Sequence, residues 1–363
     1  MSVQNAQAVW ERAQAYQAVI AAQGASVTDA DILQPADILL DLYGEGIRAR
    51  AFTTQDPLRG EMFLRPDFTV PIVQRHMAFG AEPARYTYVG KVFRKQERDE
   101  TRPTEYVQVG YEVFDGSDPA AADAQVFATI AGLLAGVKVT PVTGDIGILR
   151  AAVQGLNTTQ ARRSALMRHL WRPRRFKTLL DRFCGKTPMA AARKSLLTHP
   201  DPLAAGPPLL GLRSAAEIAT RLDALRADMA ADPISNTERE LLDALLKVRE
   251  TASNALTALR DISVDLPSIS TAVDLLAARL DALADRGINV STLAFETSYG
   301  RTSMEYYDGF VFGFAADPGL GLPPVATGGR YDALTAVLGG GTGVPAVGGV
   351  VRPALVMMVE DAT

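Results

Sequence analysis

One short segment alternates polar and small residues in the manner of a ligand-binding strand. Gln108, Gly110 and Glu112 are spaced two apart within Tyr106–Phe114. Side chains two apart on a β-strand point to the same face, so an amide, an open position and a carboxylate would share one surface. We expect the glycine to leave room for a small molecule between the two polar groups.

Other residues of the types that hold a free amino acid lie elsewhere in the chain. An amino acid needs a carboxylate for its ammonium group, a cation or amide for its carboxylate and, around an imidazole, polar aromatic groups. These types occur at Asp67, Thr69, Arg94, Gln108, Glu112, Tyr306 and Tyr307. Taken singly, Glu112 also fits a solvated strand position, and one of the two tyrosines fits the core if both lie on a strand.

Hydrophobic spacing predicts the elements that position these residues. A helix is predicted over residues 8–23, ending at Gly24, from Val9, Ala13, Tyr16 and Ile20 at helical spacing. Segments rich in Val, Tyr and Phe and bounded by Pro or Gly predict strands. These segments are Met62–Leu64, Ala84–Arg94, Tyr106–Phe114, Leu293–Glu296 and Tyr306–Phe314. Two of the first three are expected to be antiparallel neighbours.

Between the two groups of strands the pattern is helical. Thr237 and Glu240 fit a capping box ahead of a leucine-rich helix. A second apolar stripe consists of Val273, Leu276, Leu280 and Leu283. The order of strands, helices and strands predicts an α+β fold, with a core of residues 1–150 and 288–363 interrupted by a helical insertion over 151–287.

Composition narrows the possible functions. The 363 residues are 47% hydrophobic, which is enough for a large core, and a net charge of −4 lacks the broad positive field that nucleic-acid binding needs. The single cysteine cannot form an internal disulfide, and the three histidines lack metal-ligand spacing, so neither metal nor cofactor is predicted. Without a signal-peptide pattern or a membrane-length apolar segment, a cytoplasmic location is expected.

Three stretches together resemble the catalytic core of class II aminoacyl-tRNA synthetases, and the histidine-specific branch in particular. They are LRPDFTVP at 64–71, VFRKQERDETRPTEYVQVGYEVF at 92–114, which is similar to motif 2, and MEYYDGFVF at 304–312, followed by GGRYDAL and PAVGG. The resemblance implies an antiparallel sheet flanked by helices. It also implies that Arg94 holds the phosphate-binding position, that Gln108 and Glu112 contact histidine, and that the tyrosines line the imidazole pocket.

The sequence departs from that family where amino-acid activation needs charged groups. Activation requires stabilisation of the charge that develops on the α-phosphate of ATP. The family has a glutamate and two arginines at three positions that serve activation. This sequence has Gln96, Thr302 and Leu355 at those positions. Arg301 and Arg352 lie one and three residues from the positions where the family has arginine. Few residues follow the segment that contains Leu355. We therefore expect neither an anticodon-binding domain nor tRNA recognition.

A histidine pocket without the activation groups implies a sensor rather than an enzyme. That combination resembles the regulatory subunits that activate the short-form catalytic subunit of ATP phosphoribosyltransferase in histidine biosynthesis and confer feedback by histidine. The resemblance implies L-histidine as ligand, the catalytic subunit as partner, and a homodimer within a hetero-oligomer, with no membrane and no tRNA. Two alternatives stay open, an enzyme that activates an amino acid and an RNA-binding module.

A basic cluster lies within residues 161–183. It consists of Arg162, Arg163, Arg168, Arg172, Arg174, Arg175, Lys177 and Arg182. A contact surface for a partner subunit or an anionic ligand is one interpretation. A solvated basic face is the other, and it is the commoner meaning of such a cluster. Trp171 and Phe176 nearby keep the first interpretation open.

Overall fold

The structure is a computed structural model that describes residues 3–43, 45–96, 102–204, 206, 211–301 and 306–362. Its strands are β1 (Ser26–Val27), β2 (Leu33–Pro35), β3 (Thr53–Asp56), β4 (Gly60–Leu64), β5 (Ala84–Phe93), β6 (Glu105–Phe114), β7 (Thr140–Asp145), β8 (Arg249–Thr251), β9 (Ala294–Glu296), β10 (Phe310–Ala315), β11 (Ala326–Arg330) and β12 (Ala346–Val351).

The helices lie before, between and after these strands along the chain. They are α1 (Val3–Ala22), α2 (Ala36–Tyr43), α3 (Thr69–Phe79), α4 (Pro119–Leu133), α5 (Ile146–Gln154), α6 (Gln160–Met167), α7 (Pro173–Phe183), α8 (Ala191–Thr198), α9 (Ala215–Ala230), α10 (Asn236–Lys247), α11 (Ala252–Asp265), α12 (Ser270–Ala284), α13 (Asp332–Leu338) and α14 (Pro353–Asp361). No helix in the described part of the chain is both long enough and apolar enough to cross a membrane.

Most strands belong to one large sheet. Among the described residues it has nine strands in the order β1-β5-β6-β12-β11-β10-β7-β9-β8, and a second sheet has the order β2-β4-β3. Neighbours in the large sheet pair antiparallel, except β1 with β5 and β7 with β9. β5 and β6 pair antiparallel over their full length, from Ala84 opposite Phe114 to Phe93 opposite Glu105. The predicted α+β fold and this antiparallel pair are therefore confirmed.

The two faces of β6 enter different buried layers. Its odd-numbered residues from Val107 to Val113 join the apolar core formed with α1, α4 and the helices of the central segment. Its even-numbered residues face a second cluster that contains Tyr88, Tyr307 and Tyr331. Alternation along one strand thus separates the structural core from a face that carries polar groups.

The predicted first helix is present as α1. Its apolar stripe is buried, with Val9, Ala13, Tyr16 and Ile20 each at most 7% exposed. The helix begins five residues before its predicted start, at Val3. Gly24 follows it with a φ of +91°, a left-handed conformation that glycine adopts without steric cost.

The central segment is helical apart from the short strand β8, and the predicted stripe on α12 is buried. The predicted capping box is wrong by two residues. Ser235, not Thr237, caps α10: its hydroxyl accepts the Glu238 backbone N–H at 3.1 Å, and the Glu238 carboxylate accepts the Ser235 hydroxyl proton at 2.7 Å. Ser235 has the extended backbone that an N-cap requires, whereas Thr237 and Glu240 lie inside the helix.

A buried ion-pair cluster joins α12 to the sheet. Arg279 is fully buried and donates Nε to Asp123 at 2.7 Å and Nη1 to Asp145 at 2.8 Å. Arg330 on β11 donates to the other oxygen of Asp123 at 2.8 Å. This cluster and a shared apolar core connect the predicted insertion, residues 151–287, to the predicted core. The division of the chain at residues 150 and 288 stays a prediction.

The basic cluster divides into two groups. Arg162 is only 7% exposed; its Nε donates to Asp228 at 2.7 Å, and its other nitrogens donate to backbone carbonyls. Arg182 lies 3.5 Å from the same carboxylate. The side chains of Arg168, Arg172, Arg174, Arg175 and Lys177 are exposed. Arg162 therefore has a structural role, and the two interpretations of the basic cluster now concern the exposed group alone.

Candidate functional site

The predicted pocket residues converge on the even-numbered face of β6. Asp67 and Thr69 lie at the start of α3, Arg94 follows β5, Gln108 and Glu112 lie on β6, and Tyr306 and Tyr307 precede β10. Thr69 donates a hydrogen bond to Glu112, and Asp67, Arg94 and Tyr307 are close enough for electrostatic interaction. The structure therefore brings together residues that are far apart in the sequence, and their role as a histidine site stays a prediction.

Glu112 is the centre of the arrangement. It is 1% exposed, and three hydroxyl groups donate to its carboxylate. Thr69 Oγ1 and Tyr88 OH donate to Oε1, each at 3.1 Å, and Tyr331 OH donates to Oε2 at 2.6 Å. Among the described residues only neutral groups donate to this carboxylate, so it has no internal counter-ion.

Burial decides the electrostatics of the site. It raises the pKa of Glu112 from 4.5 to about 7, against the opposing effect of its three hydrogen bonds. It also raises the pKa of Asp67, although the nearby Arg94 guanidinium acts in the opposite direction. Asp67 has the Arg94 cation nearby, whereas no cation of the described residues pairs with Glu112, so the Glu112 end of the site favours a further positive charge. An ammonium or imidazolium group on a ligand would supply it.

Glycines make room for the side chains of the site rather than for the ligand alone. A Cβ on Gly348, directly opposite Glu112, would lie 1.5 Å from Oε2. A Cβ on Gly110 would lie 1.9 Å from the Tyr88 ring. The expected open space at Gly110 is thus filled by Tyr88. Sequence alternation could not show this, because Tyr88 comes from the neighbouring strand.

Gln108 is a buried amide without an internal partner. It is 1% exposed, and neither Oε1 nor Nε2 has a hydrogen-bond partner in the described part of the chain. An unsatisfied buried polar group costs about 1–3 kcal/mol, so such groups call for an explanation. A polar ligand group beside Gln108 would satisfy the amide.

The two tyrosines are not on a strand, because β10 begins at Phe310. The predicted alternation of Tyr306 and Tyr307 is therefore wrong. The Asp308 carboxylate accepts two backbone N–H groups at the start of α13, at 3.1 and 2.7 Å, and holds the chain in a turn before the strand. The tyrosine ring centroids lie 4.7 Å apart, and the Tyr306 ring lies 6.0 Å from Tyr331. Both tyrosines thus belong to the Glu112 side of the sheet.

Several residues of the site were not identified from the sequence. Tyr88 and Tyr331 donate to Glu112, and Arg352 lies near Arg94 and Tyr307. Tyr331 lies within the GGRYDAL segment, which could have indicated it. Tyr88 and Arg352 reach the site only through strand order, for which the sequence carries no local signal.

The positions that activation would use hold other contacts. Arg301 is 5% exposed; its Nε donates to the Leu170 carbonyl at 2.8 Å, and its guanidinium lies 5.0 Å from the Phe176 ring centre. Leu355 packs against the apolar core on the helical side of the sheet. Thr302 lies outside the described residues. No group of three or more acidic, histidine or cysteine side chains that could hold a metal occurs among the described residues.

The matches to known proteins extend over most of the chain. The family model described as histidyl-tRNA synthetase matches residues 3–207 and 211–354. An ATP phosphoribosyltransferase regulatory subunit of Brucella anthropi is 32% identical over 351 residues, which cover 89% of this chain and 90% of the relative. The protein of the same description from Brucella canis is 31% identical over 350 residues, covering 90% and 91%.

Solved structures support the same architecture. An ATP phosphoribosyltransferase regulatory subunit/histidyl-tRNA synthetase from Bacillus halodurans has a TM-score of 0.67 at 20% identity, over 98% of this chain and 79% of the other. Histidyl-tRNA synthetase from Nostoc has a TM-score of 0.65 at 16% identity, over 99% and 73%. At these identities the likeness concerns the fold, which is the class II synthetase-like fold expected from the motifs. The chain belongs to the histidyl-tRNA synthetase-like family of ATP phosphoribosyltransferase regulatory subunits.

Proposed function

We propose that this chain is a non-catalytic regulatory subunit that binds L-histidine around Glu112, activates a short-form catalytic ATP phosphoribosyltransferase subunit and transmits feedback inhibition. The observation that carries the proposal is the Glu112 carboxylate, which is buried among three hydroxyl donors and pairs with no cation of the described residues. A buried carboxylate of this kind selects a positively charged ligand group. Free histidine carries such a group, and the regulatory subunits related to this chain belong to histidine biosynthesis.

The remaining pocket residues suit the other parts of the ligand. Glu112 or Asp67 would hold the ammonium group, and the hydroxyls of Thr69 and the tyrosines would surround the imidazole ring. The unpaired amide of Gln108 offers both a donor and an acceptor. Arg94 donates Nε to the Pro66 carbonyl at 2.7 Å, which fixes its guanidinium beside Asp67.

The groups around the activation positions support the absence of catalysis. Arg301 is held by Leu170 and Phe176, and Gln96 donates to the Pro103 carbonyl at 3.1 Å. We expect no ATP–pyrophosphate exchange with histidine, since loss of one electrostatic donor costs about 3 kcal/mol. Exchange is measured with the isolated chain and an active histidyl-tRNA synthetase as positive control. Exchange above background would favour the second candidate function, an amino-acid-activating enzyme. The position of Arg94 supports this candidate.

The regulatory role is tested by reconstitution. Mixed with a short-form catalytic subunit, this chain should raise its phosphoribosyltransferase activity, and histidine should reverse the gain. If histidine favours the less active complex, that complex must bind histidine more tightly, with a coupling free energy of about 1–3 kcal/mol. Initial rates with and without the chain, over a histidine titration, measure both effects. Unchanged rates on mixing, with a complex shown by light scattering, would contradict activation.

The resemblance also carries proposals about assembly and location. We expect a homodimer of this chain within the hetero-oligomer, in the cytoplasm, without bound tRNA. Light scattering of the isolated chain gives the oligomer, and retention of tRNA at varied salt concentration tests the RNA-binding alternative, because phosphate contacts weaken steeply with salt.

A further inference from the structure

A basic residue, Arg352, directly follows β12 at the register position opposite Gln108. Val351 on β12 pairs with Val109 on β6. Arg352 continues the strand with an extended backbone, φ −112° and ψ 91°, and its N–H donates to the Val325 carbonyl at 2.8 Å. The register therefore continues by one residue and places Arg352 opposite Gln108. Directly opposed residues of an antiparallel pair lie on the same face of the sheet.

The Arg352 guanidinium is enclosed by neutral groups. Nη1 donates to the Pro324 carbonyl at 2.9 Å, Nη2 donates to Thr327 Oγ1 at 3.1 Å, and Tyr106 is also a hydrogen-bond partner. In the described part of the chain no carboxylate pairs with it. Burial lowers the pKa of Arg352, and the nearby positive charge of Arg94 lowers it further. Asp67 lies near Arg94, so of these two arginines it is Arg352 that an added anion would neutralise.

The two ends of this face therefore favour ligand groups of opposite charge. Among the described residues, buried Glu112 has no cation as partner at one end. At the other end, no carboxylate of that part of the chain pairs with Arg352, and the Gln108 amide has no hydrogen-bond partner there. L-histidine has a group for each end, because its basic imidazole ring extends away from the α-carbon that carries the carboxylate, towards Glu112 four residues further along β6. A guanidinium with a neighbouring amide N–H matches the two oxygens of a carboxylate.

We propose that Arg352 and Gln108 hold the α-carboxylate of the amino acid in the pocket, and that this pair selects amino acids over the corresponding amines. The inference rests on the proposed histidine binding and adds a residue and a selectivity to it. Arg352 then serves the bound amino acid, whereas the family's arginine at the position of Leu355 serves activation.

Histamine tests this assignment, because it keeps the ammonium and imidazole groups of histidine and lacks only the carboxylate. Calorimetry should show that the full-length chain binds L-histidine roughly 10- to 150-fold more tightly than histamine, as expected for a hydrogen bond to a charged group. Arg352→Gln should lose this preference, with histidine affinity reduced by the same factor and histamine affinity unchanged or raised.

Two further variants make the result specific. Arg352→Lys keeps the charge and should retain part of the preference, whereas Arg260→Gln, on the exposed surface of α11, should retain all of it.

A full preference for histidine in Arg352→Gln would overturn this inference alone. Equal affinities of the unmodified chain for histidine and histamine would overturn it without any variant. Absence of histidine binding would overturn the proposed function as well. Pyrophosphate binding that depends on Arg352, with the histidine preference intact in Arg352→Gln, would assign the residue to phosphate instead.

Discussion

Glu112→Ala should lower the affinity for L-histidine by roughly 30- to 1000-fold, or about 2–4 kcal/mol. The physical reason is desolvation. The ligand cation leaves water on entering the pocket. Without Glu112 it would lie among the hydroxyls of Thr69, Tyr88 and Tyr331, and the remaining carboxylate, Asp67, already has Arg94 nearby. Isothermal titration calorimetry of the isolated chain measures the change.

The control for this variant is a carboxylate outside the site. Glu240→Ala removes an acidic side chain from α10 that is 71% exposed, so its histidine affinity should equal that of the unmodified chain. Circular dichroism shows that both variants are folded. Unchanged affinity in Glu112→Ala would place histidine elsewhere on the chain.

The pH dependence of binding identifies the ionised carboxylate. Burial raises the pKa of Glu112 to about 7, so below pH 7 the protonated carboxyl group must release its proton before it holds a cation. The ratio of the affinity of the unmodified chain to that of Glu112→Gln should therefore be largest above pH 7 and fall as the pH decreases. Ionisation of free histidine affects both titrations equally and leaves the ratio unchanged. A constant ratio between about pH 6 and 8.5 would contradict a role for ionised Glu112.

The same substitution separates activation from feedback. Activation depends on the contact between subunits, and inhibition depends on the pocket, so a complex carrying Glu112→Ala should be active and resistant to histidine. Thermodynamic linkage requires this result if the inhibitory histidine binds here. An active complex that histidine still inhibits would show that feedback is sensed elsewhere, such as on the catalytic subunit.

Periodic patterns within a single segment predicted the strand β6 and the helix α1. The alternation in β6 identified Gln108 and Glu112 as neighbours on one face, because side-chain direction on a strand has a period of two. The stripe on α1 was equally readable, because helical spacing places its apolar residues on one side. In both cases the signal and the structure involve the same short segment.

The parts that could not be predicted depend on contacts between distant segments. Tyr88 fills the space above Gly110, and Arg352 lies opposite Gln108, because β5 and β12 flank β6 in the sheet. Strand order is a property of the whole chain. The turn at Tyr307 was missed for a related reason, since it is held by backbone groups more than twenty residues away.

Arg279→Met should destabilise the folded chain by about 3–5 kcal/mol, because it removes the cation from a buried cluster and leaves the carboxylates behind. Asp145 is 2% exposed and would retain the Gly147 N–H as its hydrogen-bond donor, while Asp123 would retain Arg330. Urea denaturation measures the difference in the free energy of unfolding. Arg286→Met is the matched control: its exposed guanidinium donates to a carbonyl near the end of α12, so its effect should stay within about 0.5 kcal/mol. A loss below about 1 kcal/mol for Arg279→Met would contradict a stabilising role of this ion-pair cluster and would show that apolar packing holds α12 against the sheet.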